Sequence, residues 1–157
     1  MIAHCGKTVE NRSWPTTHRG LLAIHAGAYS GWDPAGEGSP VARAAWREWS
    51  ATLPPLNITG PLRRGAIHID FGAIVAVAEL SGCHASGPDG CDGNWQGLDG
   101  WLRPRCSPWA VNGQWHWVLE SVRPLAAPVP CRGRLSLWRL PEDTEDAVRA
   151  QMEATSA

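Results

Sequence analysis

Lysine is almost missing from this chain. Lys and Arg together number 14, and Lys7 is the single lysine among them. Every other cation is a guanidinium, which keeps its proton at any ordinary pH, so Lys7 alone carries an amine able to act as base or nucleophile near neutrality. Tyr and Phe occur once each, against ten Trp. Indoles therefore supply nearly all the flat aromatic surface, which suits a core and base stacking alike. No apolar run approaches the roughly 20 residues of a membrane-spanning helix, and no charged segment followed by a short apolar one signals export. The five Cys are odd in number and lack disulfide-like spacing, so the expected setting is reducing and cytoplasmic. No Gly-rich loop follows a strand to open a helix, and no serine nucleophile elbow is present; these absences remove phosphate-loop and serine-elbow hydrolase chemistries.

What is present fits one globular domain. The chain has 157 residues, 43% hydrophobic and 18% charged, enough for a real core. Net charge is −1. Its distribution is uneven: Lys7, Arg12 and Arg19 outweigh Glu10 in the first 26 residues, whereas five acids outweigh Arg149 from Pro141 onward. A local basic patch fits this pattern; a broad phosphate-binding surface does not.

Periodicity sketches the elements. Met1–Cys5 reads as the last turn of a helix, with Gly6 as its cap. Leu21–Ala26 reads as a strand, with Leu22, Ile24 and Ala26 on one face and Leu21, Ala23 and His25 on the other. Ala28–Gly38 is loop-like. Ser39-Pro40 starts an amphipathic helix over Pro40–Ala51 that carries Arg43 and Arg47, and Pro54-Pro55 ends it. Gly65-Ala66-Ile67 recurs as Gly72-Ala73-Ile74, too short a spacing for a repeat architecture. Ala73–Leu80 reads as a buried strand, Ser81–Gly113 as a long irregular segment, Trp115–Val122 and Arg134–Arg139 as strands, and Pro141–Ala154 as a closing helix with acids in its first turn. The simplest architecture is a small mixed or antiparallel β-barrel with packed helices, of α+β class.

One stretch concentrates chemistry: Cys5-Gly6-Lys7-Thr8-Val9-Glu10-Asn11-Arg12-Ser13-Trp14. Together with Arg19-Gly20, Ile24-His25-Ala26, Gly72–Leu80, Trp117-Val118-Leu119-Glu120 and Cys131–Trp138, it resembles an ASCH domain of the PUA-like superfamily, whose signature is Gly-x-Lys-x-x-Glu-x-Arg. The resemblance spans residues 1–140 and leaves 141–157 as a C-terminal acidic helix and tail. It implies a PUA-like small β-barrel with a cleft beside the signature, and RNA or a modified nucleobase as ligand. Some members hydrolyse N4-acetylcytidine, and ribonuclease activity is also attributed to the family. Carried over residue by residue, it implies Lys7, Glu10, Arg12, Trp14 and His25 as the ligand-binding set, with Lys7 and Glu10 as the catalytic pair of an enzyme. No cofactor or metal is implied. The departures are specific. The first signature Gly is Cys5, the Gly65–Phe71 stretch is an insertion, Ser121 stands where Asn is expected, and Glu10 stands where the deacetylating branch has Thr. The usual N-terminal segment is also expected to be missing, which raises a third reading, a truncated, non-catalytic interaction domain.

Each residue also has a plain structural role. Lys7 either anchors a phosphate, attacks an acyl group, or pairs with Glu10. Glu10 either activates a water, accepts from a base amine, or neutralises Lys7 or Arg12. Arg12 forks onto phosphate or forms a salt bridge; Trp14 stacks a base or fills the core. His25, on a strand among apolar neighbours, reads as a core histidine before a catalytic one. His116 and Glu120 share a strand face but lie about 13 Å apart. Cys83, His84, Cys91 and Cys106 invite zinc, yet their spacing matches no standard motif, and no metal site is expected. Trp95, Trp101 and Trp109 are candidates for a lid over a base.

Overall fold

The computed structural model describes residues 2–4, 6–27, 71–88, 90–91, 95–96, 102–103 and 106–155. The helix expected over Pro40–Ala51, the Ala28–Gly38 loop and most of the Gly65–Phe71 insertion lie outside the described residues. Residues 2–4 form a turn, and Gly6 follows with φ +63°, the left-handed conformation that a residue lacking Cβ adopts freely.

Among the described residues there are seven strands and one helix. They are β1 (Val9–Arg12), β2 (Gly20–Ala26), β3 (Ala73–Gly87), β4 (Gly90–Cys91), β5 (Trp95–Gln96), β6 (Leu102–Arg103), β7 (Trp115–Pro130) and α1 (Glu142–Ala154). The main sheet runs β1-β7-β3-β2, with β4 hairpinned onto β3, and every pairing in it is antiparallel. β5 and β6 pair with each other in a separate two-stranded sheet. The molecule is thus a small sheet-rich domain, and the expected barrel requires correction: among the described residues the sheet is not closed into one. β1 pairs with Trp115–Val118 of β7, whereas β2 pairs with Ala73–Leu80 of β3. These two edge strands cover opposite ends of the central β3–β7 pair, so they do not meet to close a cylinder.

β3 and β7 both outrun their expected lengths. β3 continues through Gly87, seven residues past Leu80, into the segment read as irregular. β7 continues past Pro124 to Pro130. Proline removes a ladder donor and is tolerated on strand edges. Beyond Val118 no β1 residue pairs with β7, so among the described residues the outer edge of that half has no ladder to lose. Three register shifts accommodate the length of the pairing. At one of them Ser121 takes φ +47°. The segment expected as a strand at Arg134–Arg139 is not one; it bends, with Ser136 at φ +65° and Leu135 95% exposed. Its alternation of Leu and polar residues meets no partner strand among the described residues.

Two apolar clusters hold the domain. Alternation in β2 sends Leu22 and Ile24 to one face and Ala23 to the other, as expected. On the first face Ala78, Leu80, Trp117 and Leu119 are buried, with Trp14, Cys83 and Trp115 packed around them. On the second, Ile74 and Val77 meet Val148 and Met152 of α1. Gln151 fastens the helix further, accepting from Ala127 N and donating to Ala127 O, both at 2.9 Å. The acidic helix is therefore packed onto the same sheet. No described helix is long and apolar enough to cross a membrane.

A left-handed backbone costs roughly 1–2 kcal/mol for a residue bearing Cβ, and more for a β-branched one. Ser121→Val is expected to lower stability by about 1–2 kcal/mol and Ser121→Asn to raise it by a few tenths. Urea denaturation of the two variants checks both signs.

Candidate functional site

β1 is the hinge between two faces. Its register sets Glu10 opposite Trp117 and Arg12 opposite Trp115, on the face of the first core cluster, and Asn11 opposite His116 on the other face. The signature thus turns its charged residues one way and its amide the other.

On the charged side, Lys7 Nζ donates to Glu10 Oε2 at 2.6 Å, and Arg12 reaches Glu10 Oε1 at 3.2 Å. Both carboxylate oxygens are engaged, one by each cation. The guanidinium carbon of Arg12 lies 5.8 Å from the ring centre of Trp117. Trp117 meets Trp14 edge to face at 4.6 Å and donates its indole N–H to the Trp14 carbonyl at 3.2 Å. Lys7, Glu10, Arg12 and Trp14 are therefore brought together, with Trp117 as their floor. From sequence Trp117 has a place on a strand face but no role. A cross-strand register is needed to see that it lies beneath the signature.

His25 is not part of that set of contacts. Its Nε2 lies 2.9 Å from the Cys131 carbonyl, and its ring sits against Trp138 at 6.1 Å. A Cβ at position 133 would lie 2.6 Å from His25 Cε1, so any residue larger than Gly133 obliges the imidazole to move. His25 does line the same groove as Glu10, Arg12 and Trp14, a concavity of about 1280 Å³ that Lys7 reaches only through Glu10. β2 runs along the groove, with Leu21–His25 all contributing. Five guanidinium groups (Arg12, Arg123, Arg134, Arg139 and Arg149) line it against three carboxylates (Glu10, Glu145 and Glu153), counted over the described residues. A second cation–aromatic pair stands in it, with Arg134 5.9 Å from the ring centre of Trp138. None of Arg123, Arg134, Arg139 or Trp138 stands out from sequence as a site residue, because only the fold sets them beside the signature.

The opposite face carries a different set. Asn11 clamps the turn that precedes β7: its Nδ2 donates to Trp109 O and its Oδ1 accepts from Val111 N, both at 2.9 Å. Thr8 and Ser107 share a hydroxyl contact at 3.2 Å. Trp109 belongs to this turn and does not line the groove, so it is no lid over it. The side chains of Trp95 and Trp101 lie outside the described residues. Under the turn, His84, Cys91, Cys106 and His116 converge, their ligating atoms all within 4.8 Å of one another. The spacing that argued against a metal omitted His116, which β3–β7 pairing places directly across from His84. Cys83 points to the other face and packs in the first core cluster. Burial, and next the neighbouring Cys91, push the Cys106 thiol up to about 12; burial and then His116 hold His84 below its usual value.

Neither a protein-family model nor a curated protein matches the chain.

Asn11→Ala removes both hydrogen bonds to the 109–111 turn and is expected to lower stability by about 1–3 kcal/mol, read by urea denaturation. Gly133→Ala is expected to displace the His25 ring, seen as a shift of its imidazole NMR signals with the core methyl signals unchanged.

Proposed function

We propose that this chain is an ASCH-type, PUA-like domain of the cytoplasm that binds single-stranded RNA or a modified nucleobase in the groove beside Arg12 and Trp14. One observation carries the reading. A single concavity holds two guanidinium–indole pairs, Arg12 with Trp117 and Arg134 with Trp138, within a surplus of arginine over carboxylate among the described residues. Grooves that take single strands combine backbone-tracking cations with aromatic faces on which bases stack. Arginine suits this task because its planar fork meets phosphate oxygens in pairs while its face rests on an indole. Glu10, balanced between Lys7 and Arg12, fixes where both cations stand.

The same arrangement sets the hydrolase reading second. A lysine nucleophile needs its lone pair free, and Lys7 donates to Glu10 at 2.6 Å. A carboxylate base needs a free oxygen, and both oxygens of Glu10 are engaged.

Titration of N4-acetylcytidine and of a single-stranded oligoribonucleotide, followed by tryptophan fluorescence, tests the proposal. RNA affinity is expected to fall with salt at a log–log slope of about −0.7 per phosphate contact. Arg12→Ala should weaken binding about tenfold, or ~1.4 kcal/mol, and Lys7→Arg should bind as wild type. Absence of binding to either ligand would overturn the proposal. Chromatography of the same mixtures gives the other outcome: product formed by wild type and lost in Lys7→Arg would replace the binding reading with an enzymatic one.

A further inference from the structure

The side of the β1–β7–β3 sheet that bears His116 carries four groups that do not line the groove and that the proposed RNA site does not use. We propose that His84, Cys91, Cys106 and His116 form a structural zinc site that clips the β4 hairpin and the turn before β7 onto the β3–β7 pair.

The donors come from four places in the chain: His84 from β3, Cys91 from β4, Cys106 from the segment before β7, and His116 from β7 itself. Their spacing is already near that of a tetrahedron. Both Cys91 Sγ and Cys106 Sγ lie 3.3 Å from His116 Nδ1. Zinc bonds of about 2.0–2.1 Å to nitrogen and 2.3 Å to sulfur give tetrahedral edges of about 3.5 Å. With every donor pair within 4.8 Å, small side-chain shifts complete the figure. The two imidazoles stand edge to face at 5.2 Å, as separate corners of one polyhedron rather than a stack.

The second coordination layer is in place. His116 Nε2 lies 2.9 Å from the Val111 carbonyl. A carbonyl oxygen only accepts, so Nε2 carries the hydrogen and the neutral ring turns the Nδ1 lone pair toward the two sulfurs. A metal-bound imidazole is oriented in this way, its other nitrogen donating to a backbone oxygen. His116 is 0% exposed, so that orientation is fixed by packing. Without a metal, two thiols compete for one lone pair. A zinc ion takes both as thiolates, with release of two protons to solvent.

The donor set selects the metal class. Two thiolates and two imidazoles suit zinc and reject the oxygen-seeking magnesium and calcium. Four protein donors fill a tetrahedron and leave no corner for water or substrate, so the site is structural. It also meets a need. β4 is two residues long and pairs with β3 at only two positions. A clip here fixes the turn that Asn11 holds from the other side.

The intact chain purified without chelator is expected to contain about one zinc per chain by elemental mass spectrometry. After chelation under reducing conditions, cobalt(II) should restore stoichiometric binding with the visible absorption of a tetrahedral thiolate complex, displaced by zinc. Cys91→Ser and Cys106→Ser should each lose that band, and Cys83→Ser should keep it. If the serine variants fail to fold, the wild-type stoichiometry and cobalt spectrum decide alone. Zinc-free wild type without a cobalt band, an unchanged band in Cys91→Ser, or a Cys91–Cys106 disulfide in place of bound metal would each overturn the proposal.

Discussion

The antiparallel register of β7 is the constraint on which the other features depend. Strand alternation sends neighbouring residues to opposite faces, and a slip of one residue would exchange them all. In the observed register Trp117 and Leu119 go to the core and groove face, and His116 goes to the face bearing His84. β1 reads the same register from its other side, sending Glu10 and Arg12 to the groove and Asn11 to the turn. One four-residue strand therefore touches both candidate regions. Leu80, Leu119 and Trp117 hold that register by burial, each contributing on the order of 2 kcal/mol.

Charge is organised around this frame by balance. Glu10 sits between an ammonium and a guanidinium, and the guanidinium in turn lies over an indole. Such a carboxylate is a positioning device: it holds Arg12 in an otherwise arginine-rich groove and Lys7 behind it. Around His84 and His116 on the opposite face, no ion pair is found among the described residues. Its thiols and imidazoles crowd together, and burial opposes ionisation of Cys106. Under the two proposals the faces take different partners, an anion with flat bases on one and a soft cation on the other. Within that second face a chain of hydrogen bonds runs from Asn11 to Val111 and from Val111 to His116.

Local patterns in the sequence carried the faces of β2 through alternation, the buried start of β3 through a run apolar on both faces, and the closing helix through the acids of its first turn. The ends of β3 and β7 were not legible. Gly82 and Pro124 break local propensity, and only the partner strand shows that each position tolerates it. The barrel expectation failed for the same reason, since closure depends on which ends of long strands the edges cover. At Arg134–Arg139 a period of two was real but belonged to an exposed bend. Within the site, Lys7, Glu10, Arg12 and Trp14 were found together because they are close in sequence. Trp117, Arg134 and Trp138 were not, because they are close only in space. His116 shows the difference most plainly: paired in sequence with Glu120, it pairs in the fold with His84.

The proposed function requires nucleic acid to meet the Arg–Trp face while the cysteine–histidine face stays apart from it. Heteronuclear NMR during titration with single-stranded RNA reads both faces in one measurement. The indole N–H signals of Trp14, Trp117 and Trp138 are expected to shift, with the imidazole signals of His84 and His116 unmoved. Perturbation of His84 and His116 with no change at Trp14 and Trp138 would contradict the assignment of the two faces.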